Sequence, residues 1–345
     1  MKLLMITRKM DRNDALAGFT FEWARTFASL VDELHVICLE KGNTDGLPPN
    51  CLVYSLGKER GKNRLREIVN FFRLAHRLVP KVDGVFSHQN PEYGILVAPW
   101  CKLYHKKLIA WYTHKAVTLR LRVLTALVDT VITASPESFR LRTKKCIVMH
   151  HGIETDYFVP GRPDMQKRIV VSVSRISPTK RIDLMIDVFR RLLEREGSGV
   201  ELIIAGGATL PHEQAYERSV REKVSSAGLS KSVTFLGPVP HSRTLELLQR
   251  SSLFLNFSRT GSLDKAVLEA MSCGVPVLTT NEAFRAILTP LDERMYRTED
   301  PAQLADAAYG LLLSPLPDIS RRLRDYVVRH HGLNDLLTHI VSLYA

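Results

Sequence analysis

The feature that most constrains this chain is an alternation, run twice, between short apolar segments and amphipathic segments of helical period. In the first half, KLLMIT, ELHVICLE, GVFSH, KLIAWYTH, TVITAS and CIVMHHG have the continuous apolar character of strands buried on both faces. FTFEWARTFASLV, NRLREIVNFFRLAHRLV and LRLRVLTALV fill the gaps with apolar residues at helical spacing. A second series opens near residue 168 with RIVVSVSRI and DLMIDVFRRLLERE, and runs through VELIIAGG, YERSVREKVSSAG, VTFLGPV, TLELLQRS and LFLNFS. Strands alternating with helices predict parallel sheets covered on both faces, and two series predict two doubly wound domains. DYFVPGRPDMQKR, with two prolines and a glycine, reads as the link between them. Open parallel sheets bind ligands outside the carboxyl ends of their strands, so candidate site residues are sought there.

A length of 345 residues accommodates two cores, and 45% hydrophobic with 24% charged residues fits a globular chain. No apolar run reaches the length of a membrane span, and MKLLMITRKM is too short before Arg8 and Lys9 for a secretory signal. It reads as a first buried strand. The five cysteines are odd in number, scattered and without a CxxC pair, which predicts reduced thiols, a cytoplasmic setting and no zinc site. The net charge of +12 is uneven: residues 1–160 hold 24 Lys/Arg against 15 Asp/Glu, the remainder 24 against 21. The first half therefore either meets an acidic partner, such as a membrane surface at which the protein sits peripherally, an anionic acceptor or a nucleic acid, or is merely a basic surface. No nucleic-acid-binding module is present, and no nucleic-acid partner is expected. Within KERGKNRLREIVNFFRLAHRLVPK, the stripe Leu65, Ile68, Val69, Phe72, Leu74, Leu78 and Val79 fits a core-facing helix or a membrane anchor.

The stretch SRTGSLDKAVLEAMSCGVPVLTT reads as loop, helix, tight turn and strand. Ser262 suits an N-cap, Asp264 falls in the first turn, Gly274 suits the residue after the helix, and Pro276 ends it. Glu269 is a carboxylate in an apolar run and needs a partner. That partner is either Lys265, one helical turn earlier, or the hydroxyls of a ligand whose anionic part sits at the helix start. Arg175 and Lys180, in SRISPTKRID after a strand, would suit a diphosphate, or are an ordinary basic loop. Gly206 and Gly207 allow close backbone approach or a plain turn, and they do not form a GxGxxG fingerprint. Gly18, after the polar loop RKMDRNDALA, has the same two readings. His88 and His114 end strands and either serve the structure or reach a ligand as hydrogen-bond or acid/base groups. His150 and His151 have no metal-cage spacing, and His330 and His331 are expected to face solvent.

In this order and spacing, SRISPTKRIDLMIDVF, LIIAGG, VTFLGPVPHSRTLELLQRSSLFLNFS and LDKAVLEAMSCGVPVLTT resemble the retaining glycosyltransferases of family 4. The likeness covers nearly the whole chain and is strongest over 168–280. It implies the GT-B fold: two Rossmann-like, doubly wound parallel-sheet domains facing across a cleft. The expected division is an acceptor-binding domain over 1–160, a donor-binding domain over 161–325, and a C-terminal helix over 326–345 returning to the first domain. The resemblance assigns Glu269 to the nucleotide ribose, Arg175 and Lys180 to the donor diphosphate, His114 to the donor sugar, Gly18 to a loop facing the donor, and Val239 to the nucleobase. Gly206, Gly207 and the turn Gly261, Ser262, Leu263, Asp264 and Lys265 complete the donor site. The family often carries a further glutamate eight positions before Glu269; here that position is Gly261. The implied partners are a nucleotide-diphosphate sugar and a glycan or lipid-linked acceptor, with no metal and no other cofactor. Two rivals share the architecture: a sugar-nucleotide epimerase and a non-catalytic nucleotide-sugar-binding partner.

Overall fold

The computed structural model describes residues 1–14, 18–61, 63–164, 166–313 and 316–345. Ala15–Ala17 of the loop before Gly18, Lys62 of the basic helical stretch and Met165 of the expected link lie outside them. The chain forms two compact units: residues 1–152 with 333–345, and residues 153–332.

The first unit is built from β1 (Lys2–Met10), α1 (Gly18–Leu30), β2 (Glu33–Lys41), β3 (Cys51–Ser55), α2 (Arg64–Leu78), β4 (Gly84–His88), α3 (Pro91–Leu103), β5 (Lys107–Trp111), α4 (Leu119–Leu127), β6 (Thr130–Thr133) and β7 (Cys146–Val148). Its seven strands are all parallel, in the order β3-β2-β1-β4-β5-β6-β7. The order reverses between β1 and β4, the mark of a doubly wound sheet. Helices α2, α3 and α4 cover one face with Phe71, Leu74, Val97, Cys101, Leu121 and Leu124. On the other face α1 brings Phe21, Trp23 and Phe27.

The second unit runs β8 (Arg168–Val173), α5 (Ile182–Glu196), β9 (Val200–Ala205), α6 (Pro211–Ser226), β10 (Val233–Gly237), α7 (His241–Arg250), β11 (Leu253–Asn256), α8 (Lys265–Ser272), β12 (Val277–Thr279), α9 (Arg285–Leu288), α10 (Pro301–Leu313) and α11 (Leu316–His331). Its five parallel strands follow the same rule, β10-β9-β8-β11-β12, with the reversal between β8 and β11. The chain then ends in α12 (Leu333–Ser342), which packs Leu333, Leu336, Leu337 and Ile340 into the first unit's core beside α1. Tyr344 donates its hydroxyl to the Val85 carbonyl at 2.8 Å, and a Cβ at Gly84 would strike its ring.

The expected divisions at 160/161 and 325/326 fall at 152/153 and 332/333 instead. The cause is the expected link. Phe158 is fully buried in the second core, and its carbonyl accepts from Ser272 Oγ at 2.7 Å and Arg324 Nη1 at 2.9 Å. Ile153 donates to the His331 carbonyl at 2.7 Å and pairs with Gly332. Prolines and a glycine there mark a segment docked on the second unit rather than a free tether. The same docking buries His331, which was expected to face solvent; His330 is exposed.

β3 and α3 escape the sequence pattern. Gly94 and Pro99 look like helix breakers, yet Gly94 is where α4 comes close: a Cβ there would lie 2.3 Å from Leu124 Cδ1. β1 extends through Arg8–Met10, so the polar loop before Gly18 begins only at Asp11. β5 ends at Trp111, three residues short of His114. Among the described residues, no helix is long and apolar enough to cross a membrane.

All three tryptophans, Trp23, Trp100 and Trp111, lie in the first unit. Leu337→Ala, at the far end of the chain, should therefore destabilise the unit that they report on by about 2–5 kcal/mol, the range for truncating a buried leucine. Denaturant unfolding followed by tryptophan fluorescence measures this, and an unshifted midpoint would separate α12 from that core.

Candidate functional site

At the reversal point of the second sheet, β8 and β11 part and their carboxyl ends open a crevice of about 300 Å³. Val173, Ser174 and Arg175 line it from the β8 side, Asn256 and Thr260 from the β11 side, and Asp264, Lys265 and Ala266 from the start of α8. Lys180 completes the lining. This is where a doubly wound sheet places its ligand.

Each of its three cations is held by a carboxylate. Arg175 Nη1 donates to Glu213 Oε1 at 3.1 Å. Lys180 Nζ donates to Asp264 Oδ1 at 2.7 Å and to Ser258 Oγ at 3.3 Å. Lys265 Nζ stands 3.4 Å from Glu269 Oε1, one helical turn along α8. Of these carboxylates, Asp264 alone lines the crevice; Glu213, 3% exposed, and Glu269, 6% exposed, are buried behind it. The lining thus presents Arg175, Lys180 and Lys265 against one acidic group.

Asp264 is the hub of the polar network. Its Oδ2 accepts from Asn256 Nδ2 at 2.9 Å, and Asn256 Oδ1 accepts from Thr279 Oγ1 at 3.1 Å. Asn281 Nδ2 donates to the Ser262 carbonyl at 2.8 Å, fixing the turn before α8. Asp264 also occupies the N-cap position, so α8 starts at Lys265, later than a Ser262 cap implies. Its side chain makes no cap bond because the lysine and asparagine hold it elsewhere. The end of α8 follows the sequence: Gly274 has φ +71°, and Val275 donates back to the Ala270 carbonyl at 2.9 Å.

Glu213 is anchored equally firmly at the start of α6. Burial pushes its carboxyl up, but the Thr209 amide and hydroxyl, the Leu210 amide and Arg175 outweigh that and hold it below the usual carboxylate range. Gly206 has a structural cause. Its φ is +130°, and a Cβ would lie 1.8 Å from the Ser174 carbonyl oxygen. Ser174 donates to the Ala205 carbonyl at 3.0 Å and Ile176 to the Gly207 carbonyl at 3.1 Å, so the end of β9 braces the Arg175 loop from behind.

Of the residues read from sequence, Arg175, Lys180, Asp264 and Lys265 meet in one crevice. Gly261, Ser262 and Leu263 form the turn leading into it, with Leu263 buried and Gly261 at φ +63°. A glutamate at 261 would have to adopt that left-handed conformation, at a cost of about 1–2 kcal/mol. Glu269 lies outside the lining, paired with Lys265. Val239 packs partly buried against the second unit's core, also outside it. In the first unit, His114 is exposed in the loop after β5, its Nδ1 accepting from the Ala116 amide at 3.1 Å. His88, at the end of β4, is buried with Nδ1 3.2 Å from Thr7 Oγ1 and packs on Trp23. Gly18 opens α1; a Cβ there would make only an ordinary 3.5 Å contact with the Arg12 carbonyl. The sequence reading missed Glu213, Asn256, Thr260 and Asn281. Asparagine at the carboxyl end of a buried strand was the available signal for Asn256. Glu213 gives none, because its partner is 38 residues away.

Residues 154–325 match the family model described as Glycosyl transferases group 1. The lipopolysaccharide core biosynthesis mannosyltransferase of Rhizobium meliloti is 30% identical over 199 residues, 53% of this chain and 55% of that protein. A phosphatidylinositol N-acetylglucosaminyltransferase subunit of Arabidopsis thaliana is 31% identical over 182 residues, 52% of this chain and 39% of that one. The matched lengths are thus about half of those relatives or less. Among solved structures, Anabaena HepE in complex with UDP and glucose superposes with a TM-score of 0.77 at 16% identity over 99% of both chains. The sucrose-phosphate synthase of Thermosynechococcus elongatus gives 0.76 at 15% identity, over 100% of this chain and 98% of that one. At such identities the likeness is one of fold, and the fold is GT-B.

Glu213→Gln should lower stability by about 1–3 kcal/mol at neutral pH, because buried donors lose a charged acceptor. Since the folded carboxyl titrates below its unfolded value, this stabilisation is present above the unfolded pKa and is lost as pH falls through the folded one. Denaturant melts of both proteins across acid pH should therefore converge, and a constant gap would refute the assignment.

Proposed function

This chain belongs to the glycosyl transferases group 1 through residues 154–325, and from that premise we propose that it moves a sugar, with retention, from a nucleotide-diphosphate sugar to a glycan or lipid-linked acceptor. The observation that carries this is the crevice at the β8/β11 reversal, lined by Arg175, Lys180 and Lys265 at the start of α8. Fixed cations beside a helix start favour a diphosphate. That relatives include a mannosyltransferase of lipopolysaccharide core synthesis supports an acceptor of cell-surface glycan type.

In the proposed reaction the bond between the anomeric carbon and the diphosphate oxygen breaks, and its electron pair stays on the phosphate. Negative charge grows there while the sugar becomes cation-like. Arg175 and Lys180 stabilise the departing charge, work that a metal ion does in other enzymes, so metal-independent transfer is expected. The acceptor hydroxyl attacks the same face of the sugar and gives its proton to the departing phosphate oxygen. Glu269 accepts hydrogen bonds from ribose hydroxyls, exchanging part of its pairing with Lys265 for them. The family resemblance alone assigns Gly18 and His114 to the donor sugar. Among the described residues a Cβ at 18 would meet only an ordinary contact, which supports ligand approach as the reason for its glycine.

Gly261 favours one second reading, a nucleotide-sugar binder without turnover, because its left-handed turn holds no glutamate side chain. Binding without transfer across a panel of acceptors would support it.

Thermal shifts with UDP-, GDP- and ADP-sugars should single out one donor class, since a ligand of the native state raises apparent stability. With that donor, Lys180→Ala and Arg175→Ala should each lower the transfer rate about 10²–10³-fold, the scale for removing one group that stabilises developing charge. Transfer at near wild-type rates by both variants would defeat the proposal. Gly18→Ala should leave the melting temperature unchanged and weaken turnover; an unchanged rate would remove Gly18 from the site.

A further inference from the structure

The stripe on α2 does not do what a core-facing helix does. Phe71, Leu74, Ala75 and Leu78 are buried, and they form one face. Leu65, Ile68, Val69 and Phe72 form a second, adjacent face that stays in solvent, with exposures of 73%, 45%, 55% and 37%. Their spacing of three, four and seven residues places them on one line along the helix. Phe72 stacks on Trp100 of α3 at 5.1 Å, which carries the apolar surface onto the next helix, where Leu103 is also exposed. On α4, in the same layer, Leu119 and Val123 are exposed as well.

Charge accompanies this surface. Residues 58–129, which include α2, α3 and α4, hold 14 Lys/Arg against 5 Asp/Glu, so this segment supplies nine of the chain's twelve net positive charges. On α2, Arg64 flanks the apolar line on one side and Arg66 and Arg73 on the other, all exposed. Neither Arg64 nor Arg66 makes an ion pair among the described residues, and Arg73 donates to the neutral Asn70 at 3.2 Å. Arg66 and Arg73 also line a cavity of about 550 Å³ beside the helix with Lys41 and Arg60. Glu59 shares that cavity, but its carboxylate is taken by Ser55 Oγ at 2.7 Å and the Lys41 amide.

We propose that the α2 face, Leu65, Ile68, Val69 and Phe72 flanked by Arg64, Arg66 and Arg73, docks the protein on an anionic lipid bilayer. Apolar side chains enter the headgroup boundary while unneutralised arginines meet lipid phosphates, the arrangement of an interfacial amphipathic helix. A protein partner, including a second copy of this chain, would be expected to bring acidic groups to the arginines. This chain has no acidic excess in either half: residues 1–160 hold 24 Lys/Arg against 15 Asp/Glu, and residues 161–345 hold 24 against 21. The inference stands whether or not the donor crevice acts as proposed.

The test is co-sedimentation of the full chain with vesicles of phosphatidylcholine alone and of phosphatidylcholine with phosphatidylglycerol. Binding is expected to the second only, weakening as salt rises. Leu65→Gln with Phe72→Gln should reduce partition by at least about tenfold. Arg64→Ala and Arg66→Ala should each reduce it about fivefold. All these positions are exposed, and an unchanged thermal melt confirms that the variants fold. Equal binding to both vesicle types, or partition untouched by the paired glutamines, would overturn the proposal. So would a concentration-dependent dimer in light scattering that the paired glutamines abolish, because the face would then belong to a second copy.

Discussion

The second unit's site depends on one ion pair, Lys180 to Asp264. Lys180 follows β8, and Asp264 occupies the N-cap position of α8 after β11. The two strands are neighbours in the sheet, but their carboxyl ends, Val173 and Asn256, are 83 residues apart in the chain. Binding these loops together gives the crevice a fixed width. Asn256, Thr279 and Asn281 extend the restraint into the sheet, so Asp264 is held from two strands and a turn. With both partners mostly shielded from water, the pair is screened less than a surface bridge.

The same arrangement recurs at the other two cations. Arg175 rests on Glu213 and Lys265 on Glu269, and both carboxylates are buried. A long basic side chain in open solvent has many rotamers, and ordering it on ligand binding costs entropy. A carboxylate behind it removes part of that cost in advance. The cationic lining is therefore preorganised, which is what stabilisation of a developing anion requires. It also explains how a glutamate is tolerated in the run AVLEAM: before any ligand arrives, Glu269 already has Lys265.

The first unit shows a different economy. Its sheet has helices on both faces, but α2 is wider in apolar residues than the sheet can cover. One face anchors the helix and the other is left in solvent beside arginines. A continuous stripe in sequence thus conceals two surfaces, one packed on the sheet and one in solvent.

How much of this was legible in the chain alone follows from the range of the interactions. Strand and helix periodicity is local, so two doubly wound domains, the strand-end placement of Arg175 and Lys180, and the turn at Gly274 could be read directly. Boundaries were harder. Phe158 and His331 lie in segments that look like linker and exposed helix end, and only their burial assigns them to the second unit. Partners were harder still. Glu213, Asn256 and Asn281 carry no motif, because each meets its cation or carboxylate across many residues of chain. Sequence determined most of the elements, β3 and α3 excepted, and which of them end in charge, since periodicity, caps and glycine turns act over a few residues. Tertiary structure alone decided which carboxylate holds which cation, where Glu269 points, and that half of the α2 stripe faces water, since these depend on how distant elements pack.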